Sequence, residues 1–194
     1  MNKKNRKINN NHHGVNKMAK SSKSKILEDE KMILLELQKN SNESIGRIAK
    51  KCKFSRQKAW RLVKRLEKNK AIWGYRAIIN NNETNMKDYV LLFKLKRLPI
   101  NNNLEQQIIK GKIDELALKN EIIIENNIWL HGTYDGILYF SAKNIKKAKQ
   151  FHEGILDLYQ DTINESQLLE QMVTIKKGGF TNPDIIETNS LLDI

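Results

Sequence analysis

Cationic and amide side chains are concentrated in the segment from Ser55 to Lys70, SRQKAWRLVKRLEKNK, which carries a single acidic residue, Glu67. If this segment is helical, its apolar residues share one face and its cations share the opposite one. The apolar set is Ala59, Leu62, Val63 and Leu66; the opposite set is Gln57, Arg61, Lys64 and Lys68, flanked by Lys58 and Arg65. Arg pairs with guanine edges, Gln pairs with adenine edges, and cations bind phosphate. The segment therefore has the side-chain chemistry of a nucleic-acid recognition helix.

A solvated charged face is the alternative interpretation, because Lys and Arg usually mark the solvent side of an amphipathic helix. Two observations favour nucleic acid. Acids that would form i,i+4 ion pairs are nearly absent, and Arg56, Gln57 and Lys58 occupy the first turn, which a recognition helix presents to base edges. Trp60 flanks the cationic face, and we expect it in the core; packing on a partner or on the arm is the alternative.

The charge of the chain is strongly asymmetric. The 194 residues carry 35 Lys and Arg against 22 Asp and Glu, a net charge of +13. Residues 1–25 contribute +8 and residues 26–86 contribute +7, whereas residues 87–194 contribute −2. This distribution indicates an N-terminal half that faces a polyanion, for which nucleic acid is the commonest soluble candidate, and a C-terminal half with other duties.

Hydrophobic periodicity predicts three helices in the N-terminal half. Residues 1–23 are rich in Asn and Lys and predict a disordered basic arm. A first helix begins at Ser24, a second at the N-cap Ser44, and a third at the N-cap Ser55. The following segment, AIWGYRAIIN, predicts the hairpin of a wing, so residues 24–80 are interpreted as a winged helix-turn-helix domain.

The C-terminal half changes to the period of strands. Residues 81–87 predict a linker, and residues 88–178 show the element order β-α-β-β-α-β, with one helix predicted across Gly111. This order is typical of a ferredoxin-like domain, four antiparallel strands with two helices on one face, so the fold class is α+β. Residues 179–194, after Gly178, predict a C-terminal tail.

Several classes of protein are disfavoured. The apolar runs are far shorter than the roughly 18 residues of a membrane span, and no secretory signal is evident. The single cysteine, Cys52, lies on the apolar side of the second helix, so we expect a core residue in a reducing cytoplasm. The sequence contains no phosphate-binding glycine loop, nucleophile elbow or metal-ligand spacing, and predicts neither an enzyme, a cofactor nor a metal site.

The chain resembles the Lrp/AsnC, or feast/famine, family of prokaryotic transcription regulators. The resemblance rests on ILLELQKN, on SIGRIAKKCKFSRQKAWRLVKRLEKNKAIWGYRAIIN and on LHGTYDGILYF, and covers residues 25–178. The most specific part is the run of Leu66, Glu67, Ile72, Gly74 and Tyr75 that leads into the wing. Lys53 stands where the family commonly has Gly in the helix-turn-helix, and Thr133 replaces the usual Asp.

The resemblance implies a DNA-binding homodimer, often assembled to an octamer, that binds a small effector such as an amino acid between subunits. It assigns DNA recognition to Ser55, Arg56, Gln57, Lys58, Arg61 and Lys64. It assigns the effector site to the turn of Gly132, Thr133, Tyr134 and Asp135, where a carboxylate can bind an ammonium and backbone N–H groups can bind a carboxylate. A purely structural turn is the alternative for these four residues.

Three functions remain open at this point. The first is a sequence-preferring transcriptional regulator that binds double-stranded DNA. The second is a nucleoid-architectural protein with little sequence preference. The third is an enzyme resembling the siroheme decarboxylases, which share the two-domain architecture; the acidic C-terminal half, with His131 and His152 as its only histidines, disfavours it.

Overall fold

The computed structural model describes residues 12–97, 100 and 102–188. These residues form two compact units, divided between Ala77 and Ile78. None of the helices in the described ranges is long and apolar enough to cross a membrane.

The N-terminal unit consists of three helices around one small core. They are α1 (His12–Lys39), α2 (Ile45–Lys51) and α3 (Arg56–Lys68). Each contributes apolar residues at helical spacing, and the buried set is Ile33, Leu37, Ile48, Ala49, Cys52, Ala59, Leu62, Val63 and Leu66. The predicted core face of α3 and the predicted burial of Cys52 are confirmed.

The turn between α2 and α3 requires a left-handed residue. Lys53 has φ +55°, and the Phe54 N–H donates to the Ala49 carbonyl at 2.8 Å while the Lys53 N–H donates to the Lys50 carbonyl at 3.1 Å. This is a Schellman motif, which terminates α2 and satisfies its last carbonyls. A β-carbon in the left-handed region costs roughly 1–2 kcal/mol, so the motif tolerates Lys53 at the expense of stability.

Two predictions in this half are wrong. Helix α1 begins at His12 rather than Ser24, so residues 12–23 of the predicted disordered arm are helical; residues 1–11 lie outside the described residues. Apart from Gly14 this stretch contains no strong helix breaker, which allows α1 to extend upstream. The wing hairpin is also absent, because residues 73–80 form no strand. A two-stranded ribbon is marginal without a surface to pack on, and this segment is exposed throughout.

The C-terminal unit is built on one antiparallel sheet. Its strands are β1 (Lys87–Leu95), β2 (Ile123–Trp129), β3 (Gly136–Ala142) and β4 (Ile163–Glu170), in the order β2-β3-β1-β4. Helices α4 (Asn102–Ile109), α5 (Lys112–Lys119) and α6 (Ile145–Leu158) supply the apolar residues that pack with the strands in the second core. This confirms the predicted ferredoxin-like domain. The single helix predicted across Gly111 is instead two helices, because Gly111 adopts φ +66° and interrupts the helix.

Strand alternation separates the two faces of the sheet. On β1, Tyr89, Leu91, Phe93 and Leu95 are buried towards the helices, whereas the residues between them belong to the other face. That other face, the open face, carries a cross-strand row of Ile128, Ile137 and Leu92 and a second row of Tyr139, Val90 and Leu169. Ile128 is 43% exposed and Leu169 is 46% exposed, so the open face combines large apolar side chains with solvent contact.

Residues 179–188 of the predicted tail are structured, and residues 189–194 lie outside the described residues. Gly178 and Gly179, both at positive φ, form the two-residue turn of a hairpin between β5 (Lys176–Lys177) and β6 (Phe180–Thr181), and α7 (Pro183–Thr188) follows. Lys177 Nζ lies 2.8 Å from a Glu125 carboxylate oxygen and 3.5 Å from one of Asp88. These ion pairs attach the hairpin to β1 and β2. The predicted linker likewise packs within this unit, since it contains a 3-10 turn (Asn81–Thr84) in which Asn81 bonds to Asp88 and Ser141.

Candidate nucleic-acid interface and effector turn

Helix α3 begins at a capped N-terminus. Ser55 has an extended backbone, and its Oγ accepts a hydrogen bond from the Lys58 N–H at 3.1 Å. Such a cap satisfies one of the orphan N–H groups of the first turn and contributes about 1 kcal/mol. The Ser55 hydroxyl thus fixes the start of the helix, and the first turn presents the side chains of Arg56 and Gln57 to solvent.

The predicted recognition residues divide into two groups. Arg56, Gln57, Arg61 and Lys64 are exposed, on the side of α3 away from its buried face. Lys68 is exposed as well and extends the cationic face by one turn. The buried face packs against α1 and α2, so the cationic residues are held on a supported helix.

Lys58 belongs to a different environment. Its Nζ lies 2.6 Å from a carboxylate oxygen of Asp29 on α1 and 4.0 Å from the centroid of the Phe54 ring. An ion pair and a cation–π contact together hold the ammonium against the first helix. Arg65, two turns further along the same edge, is held by an ion pair, with its Nε 2.6 Å from a Glu30 oxygen. Lys58 and Arg65 therefore hold this edge of α3 against α1.

A third ion pair lies at the far end of the cationic face. Lys64 Nζ is 2.8 Å from a Glu67 oxygen, and the Tyr75 hydroxyl donates to the other oxygen of Glu67 at 3.0 Å. The hydrogen bond from Lys64, followed by that from Tyr75, lowers the pKa of Glu67. Glu67 therefore stays ionised at neutral pH and connects α3 to the segment after it.

Two aromatic residues lie at the surface, which the sequence analysis did not predict. Trp60 is 52% exposed, so its predicted burial is wrong, and Trp73 is 96% exposed. Trp60 is one helical turn from both Arg56 and Lys64, which places it beside the cationic face. A helical projection contains this signal, since Trp60 lies closer to the cations than to the centre of the apolar face.

We expect Lys58 to contribute to stability through Asp29. Lys58→Ala and Asp29→Ala should each lower the free energy of unfolding by about 1 kcal/mol, and the double variant by less than the sum, because both remove the same contact. Chemical denaturation of the four proteins measures this coupling. Lys68→Ala, an exposed lysine of the same helix, is the control and should change stability by no more than about 0.5 kcal/mol. Fully additive effects of Lys58→Ala and Asp29→Ala would contradict the prediction.

The predicted effector turn lies between β2 and β3. Gly132 and Thr133 are exposed, and Tyr134 and Asp135 are half-buried. Asp135 Oδ2 accepts a hydrogen bond from the Leu95 N–H at 2.7 Å, and the Asp135 N–H donates to the Phe93 carbonyl at 3.0 Å. Asp135 therefore connects the turn to the end of β1, which is a structural role in addition to any binding role.

The residue after this turn, Gly136, permits a close aromatic contact. Gly136 pairs with both Phe93 and Trp129, and a β-carbon there would collide with the Phe93 ring. The rings of Phe93 and Trp129 meet edge to face with their centroids 5.7 Å apart. The missing side chain thus allows the aromatic residues of β1 and β2 to pack across β3.

The C-terminal half contains two histidines, His131 and His152. His152 is half-buried, with its Nε2 2.8 Å from the Ser166 Oγ, and burial lowers its pKa. Across the described ranges, His, Cys, Asp and Glu form no group of three that could hold a metal ion.

The three helices define a helix-turn-helix unit, and residues 30–72 match the winged helix-turn-helix DNA-binding family. A comparison of the sequence with curated proteins gives no match. Solved structures with the same fold include an AsnC family transcriptional regulator from Agrobacterium tumefaciens, with a TM-score of 0.58 and 18% identity, covering 81% of this chain and 97% of that one.

Two further structures are similar. A transcriptional regulator from Neisseria meningitidis, solved in complex with L-Met, has a TM-score of 0.59 and 15% identity, covering 80% of this chain and 94% of that one. The leucine response regulatory protein of Mycobacterium tuberculosis has a TM-score of 0.59 and 11% identity, covering 77% and 94%. The structural neighbours are thus AsnC and Lrp regulators, and the resemblance seen in the sequence is confirmed at the level of the fold.

Proposed function

We propose that this chain is a cytoplasmic, non-enzymatic transcriptional regulator of the Lrp/AsnC type that binds double-stranded DNA with sequence preference. The observation that carries the proposal is the exposed cationic face of α3, opposite a face buried against α1 and α2. Acids of α1 pair with Lys58 and Arg65 at one edge of this helix, whereas Gln57 and Arg61 remain accessible. A supported helix with accessible Arg and Gln suits insertion into a major groove.

The contacts along α3 divide the residues predicted to recognise DNA by their role. Arg56, Gln57 and Arg61 are the proposed base readers. Lys68 is proposed to bind phosphate, as is Lys64, which exchanges its exposed ion pair with Glu67 for the phosphate. Ser55 and Lys58 act mainly by holding the helix N-terminus, since the Ser55 hydroxyl caps it and the Lys58 ammonium is paired with Asp29. Phosphate contacts release counterions, so we expect affinity to fall steeply as salt rises.

An anisotropy titration tests the proposal. The purified full chain is titrated into its own upstream DNA and into a shuffled duplex of equal composition, at two salt concentrations. A preference of about a thousandfold or more, with affinity falling at higher salt, supports a specific regulator. Equal, salt-dependent binding to both duplexes favours the nucleoid-architectural alternative, and no binding at either salt contradicts the proposal.

A homodimer paired through the open faces of two sheets completes the proposed assembly. Two cross-strand rows place six large apolar residues on this face, with Ile128 and Leu169 substantially exposed. Contiguous apolar surface of this kind marks protein–protein interfaces. A dimer would place two α3 helices on one DNA, as half-site recognition requires. Higher assembly, such as an octamer, is compatible with this arrangement.

An amino-acid effector at the 132–135 turn is the regulatory part of the proposal. Asp135 is the only acidic residue of this turn, and the Neisseria relative is in complex with L-Met. A carboxylate binds an ammonium strongly where water is partly excluded. The Leu95 N–H occupies one Asp135 oxygen, so the proposed ammonium binds beside that hydrogen bond.

We expect L-Met to raise the melting temperature of the wild type and not that of Asp135→Asn. Asn keeps an oxygen for the Leu95 N–H but loses the charge that attracts an ammonium, and ligand binding to the native state is what raises stability. Differential scanning fluorimetry with increasing L-Met measures the shift. Asp157→Asn, at an exposed carboxylate of α6, is the control and should respond like the wild type. Equal shifts in wild type and Asp135→Asn would remove Asp135 from the site.

A further inference from the structure

Trp60 is an exposed tryptophan on the helix that carries the cationic face. It is 52% exposed and belongs neither to the buried set of the N-terminal unit nor to the half-buried residues around it. Among the residues that the structure describes, its ring has no aromatic or cation–π partner, and its indole N–H has no hydrogen-bond acceptor. A large apolar ring is therefore in contact with water, and a partner that covers it would gain binding free energy.

The two edges of α3 differ in what they contact. Lys58 and Arg65 lie on one edge, where they pair with Asp29 and Glu30 of α1. At about 100° per residue, Trp60 lies roughly 140–160° around the helix from these two cations, but only about 70° from the centre of the cationic face. Trp60 is therefore on the edge of α3 away from the ion pairs with α1, next to the proposed base readers.

The charge around Trp60 indicates the kind of partner. The other exposed residues of α3 are all cationic or amide-bearing: Arg56, Gln57, Arg61, Lys64 and Lys68. Protein–protein interfaces are marked by contiguous apolar patches, and one ring among cations does not form such a patch. These surroundings favour a polyanion that also presents small apolar groups, and double-stranded DNA has both properties.

The apolar group that a duplex presents in its major groove is the C5-methyl group of thymine. The other groups on the base edges there are hydrogen-bond donors and acceptors, which suit Arg and Gln side chains. A recognition helix directs its N-terminal residues to these edges. Trp60 is in the N-terminal half of α3 (Arg56–Lys68), so its ring is placed where a methyl group can be covered.

We propose that the Trp60 ring contacts a thymine methyl group in the major groove and makes recognition by α3 depend on thymine. The inference rests on the proposed DNA-binding function and adds an apolar reader to its polar ones. Thymine and uracil offer the same hydrogen-bonding groups, so the methyl group is the only feature by which this contact separates them.

Replacement of every thymine in the upstream duplex by deoxyuridine tests the contact. Anisotropy titrations with the full chain compare the thymine and deoxyuridine duplexes. The wild type should bind the deoxyuridine duplex about 3- to 10-fold more weakly, because one buried methyl group corresponds to about fourfold in affinity. Trp60→Ala should bind the thymine duplex about 5- to 10-fold more weakly than the wild type does.

The decisive quantity is the ratio of the two affinities in each protein. Loss of the methyl groups also alters the shape of the duplex, and that effect persists in Trp60→Ala. We expect the ratio in Trp60→Ala to be at least about threefold smaller than in the wild type.

Two further variants are the controls. Trp60→Phe keeps an apolar ring and should retain most of the wild-type ratio. Trp73→Ala removes a tryptophan that is 96% exposed outside α3, and its ratio should equal that of the wild type. Circular dichroism of Trp60→Ala should match the wild type, since Trp60 lies outside the core.

The outcomes separate this inference from the function on which it rests. A wild type that prefers upstream over shuffled DNA but binds the thymine and deoxyuridine duplexes equally would overturn the thymine contact alone. A wild type that binds no DNA would overturn both. An unchanged ratio in Trp60→Ala would remove the ring from thymine recognition, and a simultaneous loss of dimer in that variant would assign Trp60 to a protein interface instead.

Discussion

Arg61→Glu is expected to weaken DNA binding at least about 30-fold at moderate salt, the largest effect of any single substitution on α3. Arg61 is exposed near the middle of the cationic face, so the change removes a base or phosphate contact and adds repulsion from neighbouring phosphates. A specific base contact is worth about 1–3 kcal/mol, and the phosphate field adds a further charge-dependent loss. Anisotropy titrations against upstream and shuffled DNA measure both affinities.

A matched control separates local recognition from net charge. Lys149→Glu changes the total charge by the same amount at an exposed position of α6 in the other unit, and DNA affinity should stay within about threefold of the wild type. Gln57→Ala keeps the charge and should instead reduce the preference for upstream over shuffled DNA, by about 1–3 kcal/mol. If Arg61→Glu and Lys149→Glu weaken DNA equally, α3 is not the recognition element.

Ile137→Glu is expected to weaken the proposed homodimer at least about 100-fold. Ile137 lies in the row between Ile128 and Leu92, at the centre of the apolar open face. In a dimer that pairs these faces, the substitution would bury a carboxylate without a partner, which costs several kcal/mol. In the free protein the position is half-buried, so the charge reaches solvent and the monomer should stay folded. Sedimentation equilibrium over a range of concentrations measures the dissociation constant.

Two comparisons make this result interpretable. Gln150→Glu introduces the same charge at an exposed position of α6 and should leave the dimer intact. Circular dichroism of Ile137→Glu should match the wild type, so that dissociation is not mistaken for unfolding. A wild-type protein that is monomeric at all concentrations, or an Ile137→Glu variant that dimerises like the wild type, would exclude this interface.

A dissociated variant also reports on DNA recognition. One α3 helix per protein reads a single half-site, so Ile137→Glu should lose much of the wild-type preference while its recognition face remains unchanged. The effects of Arg61→Glu and Ile137→Glu therefore arise from different units of the chain. Measuring the two variants separately tests whether α3 contributes to DNA recognition and the open face contributes to dimerisation, as proposed.

Local periodicity in the sequence was sufficient to predict the helix α3 and its buried face. The spacing of Ala59, Leu62, Val63 and Leu66 determines which side of α3 packs, and therefore which side carries Gln57, Arg61 and Lys64. Residues 89–93 are all apolar, so the sequence predicts the strand β1 and the structure decides which of its faces is buried. The prediction for α3 was correct because a helix converts residue spacing directly into direction.

Contacts between distant residues required the tertiary structure. The sequence shows Lys58 as one cation among several, and only the approach of α1 reveals Asp29 beside it. Several elements and their boundaries also differ from the sequence prediction. Helix α1 extends to His12, residues 73–80 form no hairpin, and Gly178–Gly179 turn the chain instead of ending the domain. Element boundaries depend on small free-energy differences that packing can outweigh.

The open face of the sheet is the clearest case of what the sequence leaves undetermined. Its apolar rows come from four strands that share no motif, and which of these side chains stay exposed can be known only when every neighbour is in place. The sequence by itself determined the class of fold and the cationic face of α3, because both follow from local spacing. The tertiary structure decided which cations are paired and which apolar surfaces stay open, because those depend on distances between elements.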